Sequence, residues 1–243
     1  MGLMFLIAFV ALIGGCGSKQ VKKDEDFSAE KFMAKAVKLM DDREYEEARK
    51  VLVEVRNRDI TKKYAPLAQL KIADTYVRDG DPNTGIEEYK KFLDLYPDSP
   101  QASYAQYQIA MAYFTQIGSA DRGLSAAQKA LQEFIRLKEV YPRNPYREII
   151  TLRTDKCKDI MAKGEFMIGE FYFKKESYNA AIKRFEGLLK EFPAFEGADE
   201  TLLLLGKSYK ALKMTDKARE AFNSLLEKYP SSKFVKEAKK GIP

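Results

Sequence analysis

The chain has 243 residues, with 42 Lys or Arg against 36 Asp or Glu, which gives a formal net charge of +6 at pH 7. It contains no histidine, so the commonest general base and metal ligand is missing, and its two cysteines are Cys16 and Cys157. The sequence has no phosphate-binding glycine loop and no nucleophile elbow. These features argue against an enzyme, and we expect no catalytic residue and no metal ligand.

The first residues resemble an export signal. Residues 3–13 are almost wholly apolar, too few to span a bilayer, and small residues follow them. Residues 13–16 read IGGC, which resembles the lipobox of bacterial lipoproteins, where the cysteine sulfur receives a diacylglyceryl group and the new amino terminus is acylated. The alternative is an ordinary cleaved signal with an incidental cysteine. We predict a lipoprotein signal peptide at residues 1–15 and lipid attachment at Cys16.

Residues 16–26 are predicted to form a lipidated, flexible tether, because they are polar and charged after the cysteine. Several acyl chains, each contributing about 0.8 kcal/mol per buried methylene, make such an anchor effectively permanent. Gly17 and Ser18 differ from the aspartate that retains lipoproteins at the inner membrane. We therefore expect a protein that is anchored in the outer membrane on its periplasmic side. The covalent diacylglycerol and N-acyl chain on Cys16 are its only expected prosthetic groups.

From residue 27 onward the chain repeats itself in five units. A first column of small residues recurs at spacings of 37, 37, 59 and 37, and a second small residue follows each by twelve, or by twenty in the third unit. A large apolar residue lies four positions beyond the second small residue. A proline lies twelve beyond it in all units but the first, where Ile60 takes its place. Unit by unit, the three columns are Ala36, Ala48, Leu52; Ala73, Gly85, Tyr89; Ala110, Ala130, Phe134; Gly169, Ala181, Phe185; and Gly206, Ala218, Phe222.

Each unit is predicted to be a pair of helices. Apolar residues recur every three or four positions, small residues let two helix backbones approach, and proline ends the second helix. This pattern resembles the tetratricopeptide repeat, lengthened by about three residues. We predict an all-α fold for residues 27–243, a right-handed solenoid of five tetratricopeptide-like helix pairs.

A solenoid of this kind exposes its first helices along a concave groove. In tetratricopeptide geometry the groove positions lie six and three residues before each first-column residue, and one and four after it. In residues 27–145 these positions are rich in Met and aromatic residues, which suits peptides of varied sequence; Glu30 and Asp74 are charged exceptions. Alternatively, tight winding buries them between neighbouring units. The candidate substrate-groove residues are Met33, Val37, Met40, Leu67, Leu70, Val77, Tyr104, Tyr107, Met111 and Phe114.

The basic charge is concentrated in the carboxy-terminal half. Residues 146–243 hold 20 Lys or Arg against 15 acids, whereas residues 16–145 hold 22 against 21. The export signal argues against a nucleic-acid partner. An acidic protein partner for residues 146–243 is one interpretation, and ordinary solubility charge is the other. We divide the repeat domain into a substrate-facing half, 27–145, and a partner-docking half, 146–243.

Several motifs resemble the BamD (ComL-type) family of outer-membrane assembly lipoproteins. They occur in the family's order over nearly the whole chain, together with the lipobox, the five helix pairs, a short insertion in the third unit and a long helix in the fourth. The chain departs from the family at Arg58-Asp59-Ile60, where Arg-Tyr-Pro is frequent, and at Gly123, where an acid is usual. The matching segments are 110–114 (AMAYF), 121–122 (DR), 141–146 (YPRNPY), 162–165 (AKGE), 172–175 (YFKK) and 183–189 (KRFEGLL).

The resemblance implies a scaffold in the β-barrel assembly machinery that helps a BamA-type (Omp85-type) barrel to fold and insert outer-membrane proteins. It implies that the amino-terminal repeats bind unfolded barrel proteins, that the carboxy-terminal repeats dock a POTRA domain, and that other assembly lipoproteins can join. Arg184 matches the family arginine implicated in docking, and a guanidinium can bind a carboxylate through two parallel hydrogen bonds. The alternative is another tetratricopeptide-repeat lipoprotein, either a secretin pilot or a cell-envelope coordinator. The 59-residue spacing favours the assembly scaffold.

Overall fold

The computed structural model describes residues 27–118 and 120–242, except for the side chains of residues 120–122. The predicted signal peptide (1–15), lipid site Cys16 and tether (16–26) lie outside the described residues. The described residues form eleven helices and no strand, and none of these helices is long and apolar enough to cross a membrane. The helices are α1 (Ala29–Asp41), α2 (Tyr45–Arg58), α3 (Ala65–Arg78), α4 (Pro82–Leu95), α5 (Ala102–Thr115), α6 (Ala120–Val140), α7 (Arg147–Lys174), α8 (Tyr178–Glu191), α9 (Ala198–Ala211), α10 (Thr215–Lys228) and α11 (Val235–Gly241).

The helices α1 to α10 form five hairpins that stack in chain order, which confirms the predicted all-α solenoid of five helix pairs. Each helix packs against the next one along the chain, within a unit and between units. In four hairpins the connection has three residues, and its middle residue has a positive φ: Arg43, Gly80, Glu176 and Lys213. A left-handed residue after a helix turns the chain back sharply. The same tight reversal therefore sets the geometry of four units.

All fifteen residues of the three predicted columns are buried. The contact between columns is closest in the last two units. A Cβ atom added to Gly169 would lie 2.5 Å from Cε1 of Phe185, and one added to Gly206 would lie 2.6 Å from Cε1 of Phe222. The ring of the second helix therefore rests directly on the backbone of the first, and only glycine fits there. In the first three units alanine occupies this column.

The second helices of the last four units end two residues before a proline, as predicted. In the first unit a carboxylate orders the loop instead. The Asp59 side chain accepts hydrogen bonds from the Thr61 hydroxyl (2.6 Å) and from the backbone N–H groups of Thr61, Tyr64 and Ala65 (3.2, 2.5 and 3.0 Å). The Thr61 hydroxyl, followed by the backbone donors, lowers the pKa of Asp59 below its usual value. Ile60, which takes the proline place, is 95% exposed.

The 59-residue spacing comes from two lengthened helices. Helix α6 has 21 residues and α7 has 28, whereas their counterparts in the second and fifth units have 14. Helix α7 begins 22 residues before Gly169, while α3 begins eight residues before Ala73. At about 3.6 residues per turn, the 14 additional residues of α7 make about four turns.

Each half of helix α7 packs in the way that a whole first helix does in the other units. Its amino-terminal half packs on the third unit, where Ile150 and Cys157 share a cluster with Phe134. Its carboxy-terminal half packs on the fourth and fifth units through Phe166 and Phe173. Burial raises the pKa of the Cys157 thiol to about 11, so this cysteine is an inert core residue at neutral pH.

The two ends of the stack are closed in different ways. Three lysines on α1, Lys31, Lys35 and Lys38, are exposed, as expected for a capping repeat. At the other end α11 covers the fifth unit, where a Cβ atom on Gly241 would lie 2.7 Å from Cζ of Phe222. Phe222 is thus enclosed between two glycines.

Candidate protein-binding surfaces

The predicted groove residues do not all line an open groove. Met33, Met40 and Leu70 are buried, at 6, 3 and 3% exposure. Met33 and Met40 pack in one cluster with residues of α3, and Leu70 packs in another with residues of α5. The prediction that these three residues contact a ligand is therefore wrong, because the first helix of the next unit covers them. For these positions the alternative of burial between units holds.

The other seven predicted positions reach the surface. Val37 and Leu67 are exposed. The remaining five are half-buried and lie on α3 and α5: Val77, Tyr104, Tyr107, Met111 and Phe114. We call these seven residues the concave surface.

Asp74 lies buried beneath this surface with its carboxylate fully engaged. The hydroxyls of Tyr89 and Tyr104 donate to Oδ1 at 2.6 and 3.0 Å, and Nζ of Lys71 lies 3.0 Å from Oδ2. Burial, followed by the nearby carboxylate, raises the pKa of both phenols, so they remain protonated donors. The cluster joins α3, α4 and α5, and it fixes Tyr104 as a rigid wall of the concave surface.

The third unit contributes an aromatic region and a cation. Tyr107 stacks on Tyr146 with a centroid distance of 4.1 Å and an interplanar angle of 9°. The Arg153 guanidinium lies over Phe114, with Cζ 4.6 Å from the ring centroid. The Nε of Arg153 is buried and has no hydrogen-bond partner. A cation in such a place attracts an anion.

Arg184, predicted to dock a partner, belongs to an internal link. Its side chain is 44% exposed, and its Nη1 donates to Oε2 of Glu165 at 3.0 Å. Glu165 lies four residues before the first-column Gly169, and Arg184 lies three after the second-column Ala181. The link therefore joins the two helices of the fourth unit at a defined repeat position.

The same repeat positions carry a link in two earlier units. The amide of Gln69 donates to Glu88 at 2.9 Å in the second unit, and that of Gln106 donates to Glu133 at 2.7 Å in the third. Both glutamines are 1% exposed. The sequence motifs indicate Arg184 but not this repeated link, although the six residues fall into register when the units are aligned on their small-residue columns.

Several basic groups of the carboxy-terminal half are paired within the chain. Lys163 contacts Asp159 at 2.9 Å, and Lys174 contacts Glu170 at 2.8 Å. The fourth unit therefore presents mixed charge rather than a uniform basic patch. In the described residues no group of three or more His, Cys, Asp or Glu side chains could hold a metal ion.

Comparison with known proteins gives matches over most of the chain. The family model "YfiO: Outer membrane lipoprotein" matches residues 25–222. Relatives named "Outer membrane protein assembly factor BamD" include one from Neisseria gonorrhoeae, 26% identical over 92% of this chain and 88% of its own length. Another, from Rickettsia prowazekii, is 26% identical over 97% of this chain and 94% of its own. A third, from Haemophilus influenzae, is 27% identical over 88% and 86%.

Solved structures give more distant similarities. The "TPR2AB-domain:pHSP90-complex of yeast Sti1" has a TM-score of 0.48 at 16% identity, covering 83% of this chain and 78% of that one. This likeness adds nothing to the stack of helix pairs that the coordinates show directly.

Proposed function

The chain belongs to the YfiO family of outer membrane lipoproteins, and we propose that it acts as an assembly factor for outer membrane proteins. The observation that carries this proposal is the family match over residues 25–222, which includes the first four helix pairs and most of the fifth. We propose that the protein acts by binding, as a scaffold on the periplasmic side of the outer membrane, with Cys16 as its lipid attachment site.

The concave surface is the proposed site for unfolded barrel proteins. Tyr104, Tyr107, Met111 and Phe114 offer apolar side chains of different shapes, which can accommodate segments of varied sequence. Arg153 adds a cation over the Phe114 ring. The ligand that fits this arrangement is an extended apolar or aromatic segment that carries a carboxylate.

Arg184 is the proposed contact for the POTRA domain of a BamA-type barrel. Arginine has five N–H donors, and Glu165 accepts a hydrogen bond from one of them, so the exposed guanidinium can also bind a carboxylate of the partner. The net positive charge of residues 146–243 favours an acidic partner surface. Each contact can be weak, because a lipid tether holds the protein and the barrel in the same membrane.

A test of the docking role of Arg184 must separate loss of the partner contact from loss of the ion pair with Glu165. Arg184→Glu places a second carboxylate beside Glu165, so loss of partner could follow from local repulsion. The double variant Glu165→Arg, Arg184→Glu restores an ion pair while reversing the exposed charge. In detergent extracts we expect both variants to lose about 90% of the co-isolated barrel protein, which corresponds to about 1.4 kcal/mol. We expect the double variant to regain the wild-type melting temperature.

Arg219→Glu is the matched control. Arg219 on α10 is 46% exposed and pairs with Asp216 on the same helix, so it resembles Arg184 in exposure without linking two helices. It should retain the barrel protein. Recovery of the partner by the double variant would assign Arg184 to the internal link alone. Absence of any BamA-type barrel from the wild-type extract would refute the partner itself.

The concave surface is tested with peptides from the carboxy-terminal strand of a barrel protein. We expect Arg153→Met to weaken binding of an aromatic-ended peptide about tenfold in fluorescence anisotropy, since it removes the cation beside Phe114. The amidated peptide should bind wild type and variant alike, and Arg136→Met on the exposed face of α6 should change neither affinity. Equal weakening of both peptides would exclude a carboxylate contact, and unchanged binding would remove Arg153 from the site.

A further inference from the structure

The loop that follows α2 presents an isoleucine on a rigid support. Four hydrogen bonds to the Asp59 carboxylate order this loop, and Ile60 stands outward from it at 95% exposure. Lys62 has a positive φ of 56°, so the turn is held in a conformation that L-residues adopt at a cost. The loop backbone is therefore ordered, and the side chain at its tip is apolar and exposed.

Most of the charged residues near Ile60 in the sequence are basic, although Nη1 of Arg58 lies 4.0 Å from Oε1 of Glu54 and Asp98 lines the neighbouring cleft. Arg58, Lys62 and Lys63 are all exposed beside it. Lys63 also lines a cleft of about 550 Å³ with the exposed side chains of Leu67 and Leu95. The equivalent loops of the later units carry a proline where this loop has Ile60, and none of them has two adjacent lysines.

The start of the repeat domain lies at the same edge. The ring of Phe27, the first described residue, lies under the Arg58 guanidinium with Cζ 4.4 Å from its centroid. Phe27 also packs edge to face on Phe32 at 5.1 Å. Eleven residues lead from Cys16 to Phe27, which cannot reach farther than about 40 Å at ~3.6 Å per residue. An acyl chain on Cys16 thus keeps this edge of the first unit within a short distance of the bilayer.

We propose that this edge, formed by Arg58, Ile60, Lys62, Lys63 and Leu95, rests on the phospholipid surface. Ile60 enters the boundary between headgroups and acyl chains, and the three cations contact anionic headgroups. One isoleucine and a few cations bind a membrane too weakly to recruit a soluble protein. Beside a permanent tether the same contacts are intramolecular and suffice to orient the solenoid. The inference rests on lipid attachment at Cys16, which is part of the proposed function.

The test uses the full lipidated protein in vesicles of phosphatidylethanolamine and phosphatidylglycerol. Ile60→Cys is labelled with an environment-sensitive fluorophore. Labelling is selective, because Cys157 is buried with a pKa of about 11 and the Cys16 sulfur is blocked by its acyl group. Matched labels at Pro193→Cys and Pro230→Cys occupy the same column, exposed, in the fourth and fifth units. We expect quenchers within the bilayer to reduce emission at position 60 several-fold more than at 193 or 230.

A charge variant separates headgroup attraction from simple proximity. Lys62→Glu with Lys63→Glu should lower the quenching at position 60 in the vesicles that contain phosphatidylglycerol and leave it unchanged in phosphatidylcholine alone. Equal quenching at positions 60, 193 and 230 overturns the proposal. Quenching that appears only after another envelope protein is added also overturns it, because the edge then binds that protein. Protein that carries no acyl group overturns it too, whereas the assembly function is judged separately by co-isolation of the barrel partner.

Discussion

In the second and third units a glutamine on the first helix donates its amide to a glutamate on the second. In the fourth unit an arginine on the second helix donates to a glutamate on the first. The positions are the same, but the polarity of the link is reversed. The amides are 1% exposed, while the Arg184 side chain is 44% exposed with donors left over. When the donor is an arginine on the second helix, the link therefore leaves exposed N–H groups that can bind a partner.

The two halves also differ in how the paired helices of each unit pack together. The first three units place alanine under the large side chain, and the last two place glycine directly under a phenyl ring. The carboxy-terminal half therefore packs its helices without room for one additional carbon atom. We expect its cores to be the less tolerant of substitution.

Gly206→Leu should have the largest effect. Its Cβ would lie 2.6 Å from Cε1 of the fully buried Phe222, so the ring and α11 must move. We expect the free energy of unfolding to fall by about 3 kcal/mol, as for overpacked cores. Urea denaturation followed by circular dichroism measures it.

Gly187→Leu serves as the control for Gly206→Leu. Gly187 lies within α8, and a Cβ atom there would meet nothing within 4 Å. This substitution should be neutral or stabilise the protein by up to about 1 kcal/mol, because glycine is a poor helix former. Equal destabilisation by both variants would contradict the ring-on-backbone packing.

A smaller effect should distinguish the two kinds of link. Gln106→Leu removes the buried amide that donates to Glu133, and we expect a loss of about 1–2 kcal/mol because the half-buried carboxylate loses this donor. Glu165→Leu breaks the more exposed pair with Arg184 and should cost less than about 1 kcal/mol. Thermal melts of both variants make the comparison, and a larger cost for Glu165→Leu would reverse it.

The columns of the fold could be predicted because they obey local spacing. Ala36, Gly85 and Phe185 are all buried where the repeat requires it, and the prolines end the helices they follow. The division of the 59-residue spacing was harder to predict, since a long α7 has the same helical periodicity along its whole length. Tertiary contacts decide which part of α7 packs on each unit, and no local sequence pattern indicates those contacts.

The candidate site could be predicted only in part. Seven of the ten groove positions reach the surface, but Met33, Met40 and Leu70 are covered by the next unit because of how closely successive units wind. The surroundings of Asp74 and Arg153 were not predicted either. Each depends on side chains from other helices, 15 to 39 residues away in sequence, so no local pattern reveals them.

Helix α7 also sets a distance. The rise of an α-helix is fixed at about 1.5 Å per residue, so the 14 additional residues displace the last two units by roughly 21 Å along its axis. At about 100° per residue the same insertion nearly completes four revolutions and leaves a turn of roughly 40°. The length of α7 therefore sets both the distance and the angle between the proteins that the two halves bind. The same turns carry Ile150 and Cys157, so this spacing is tied to the hydrophobic core of the third unit.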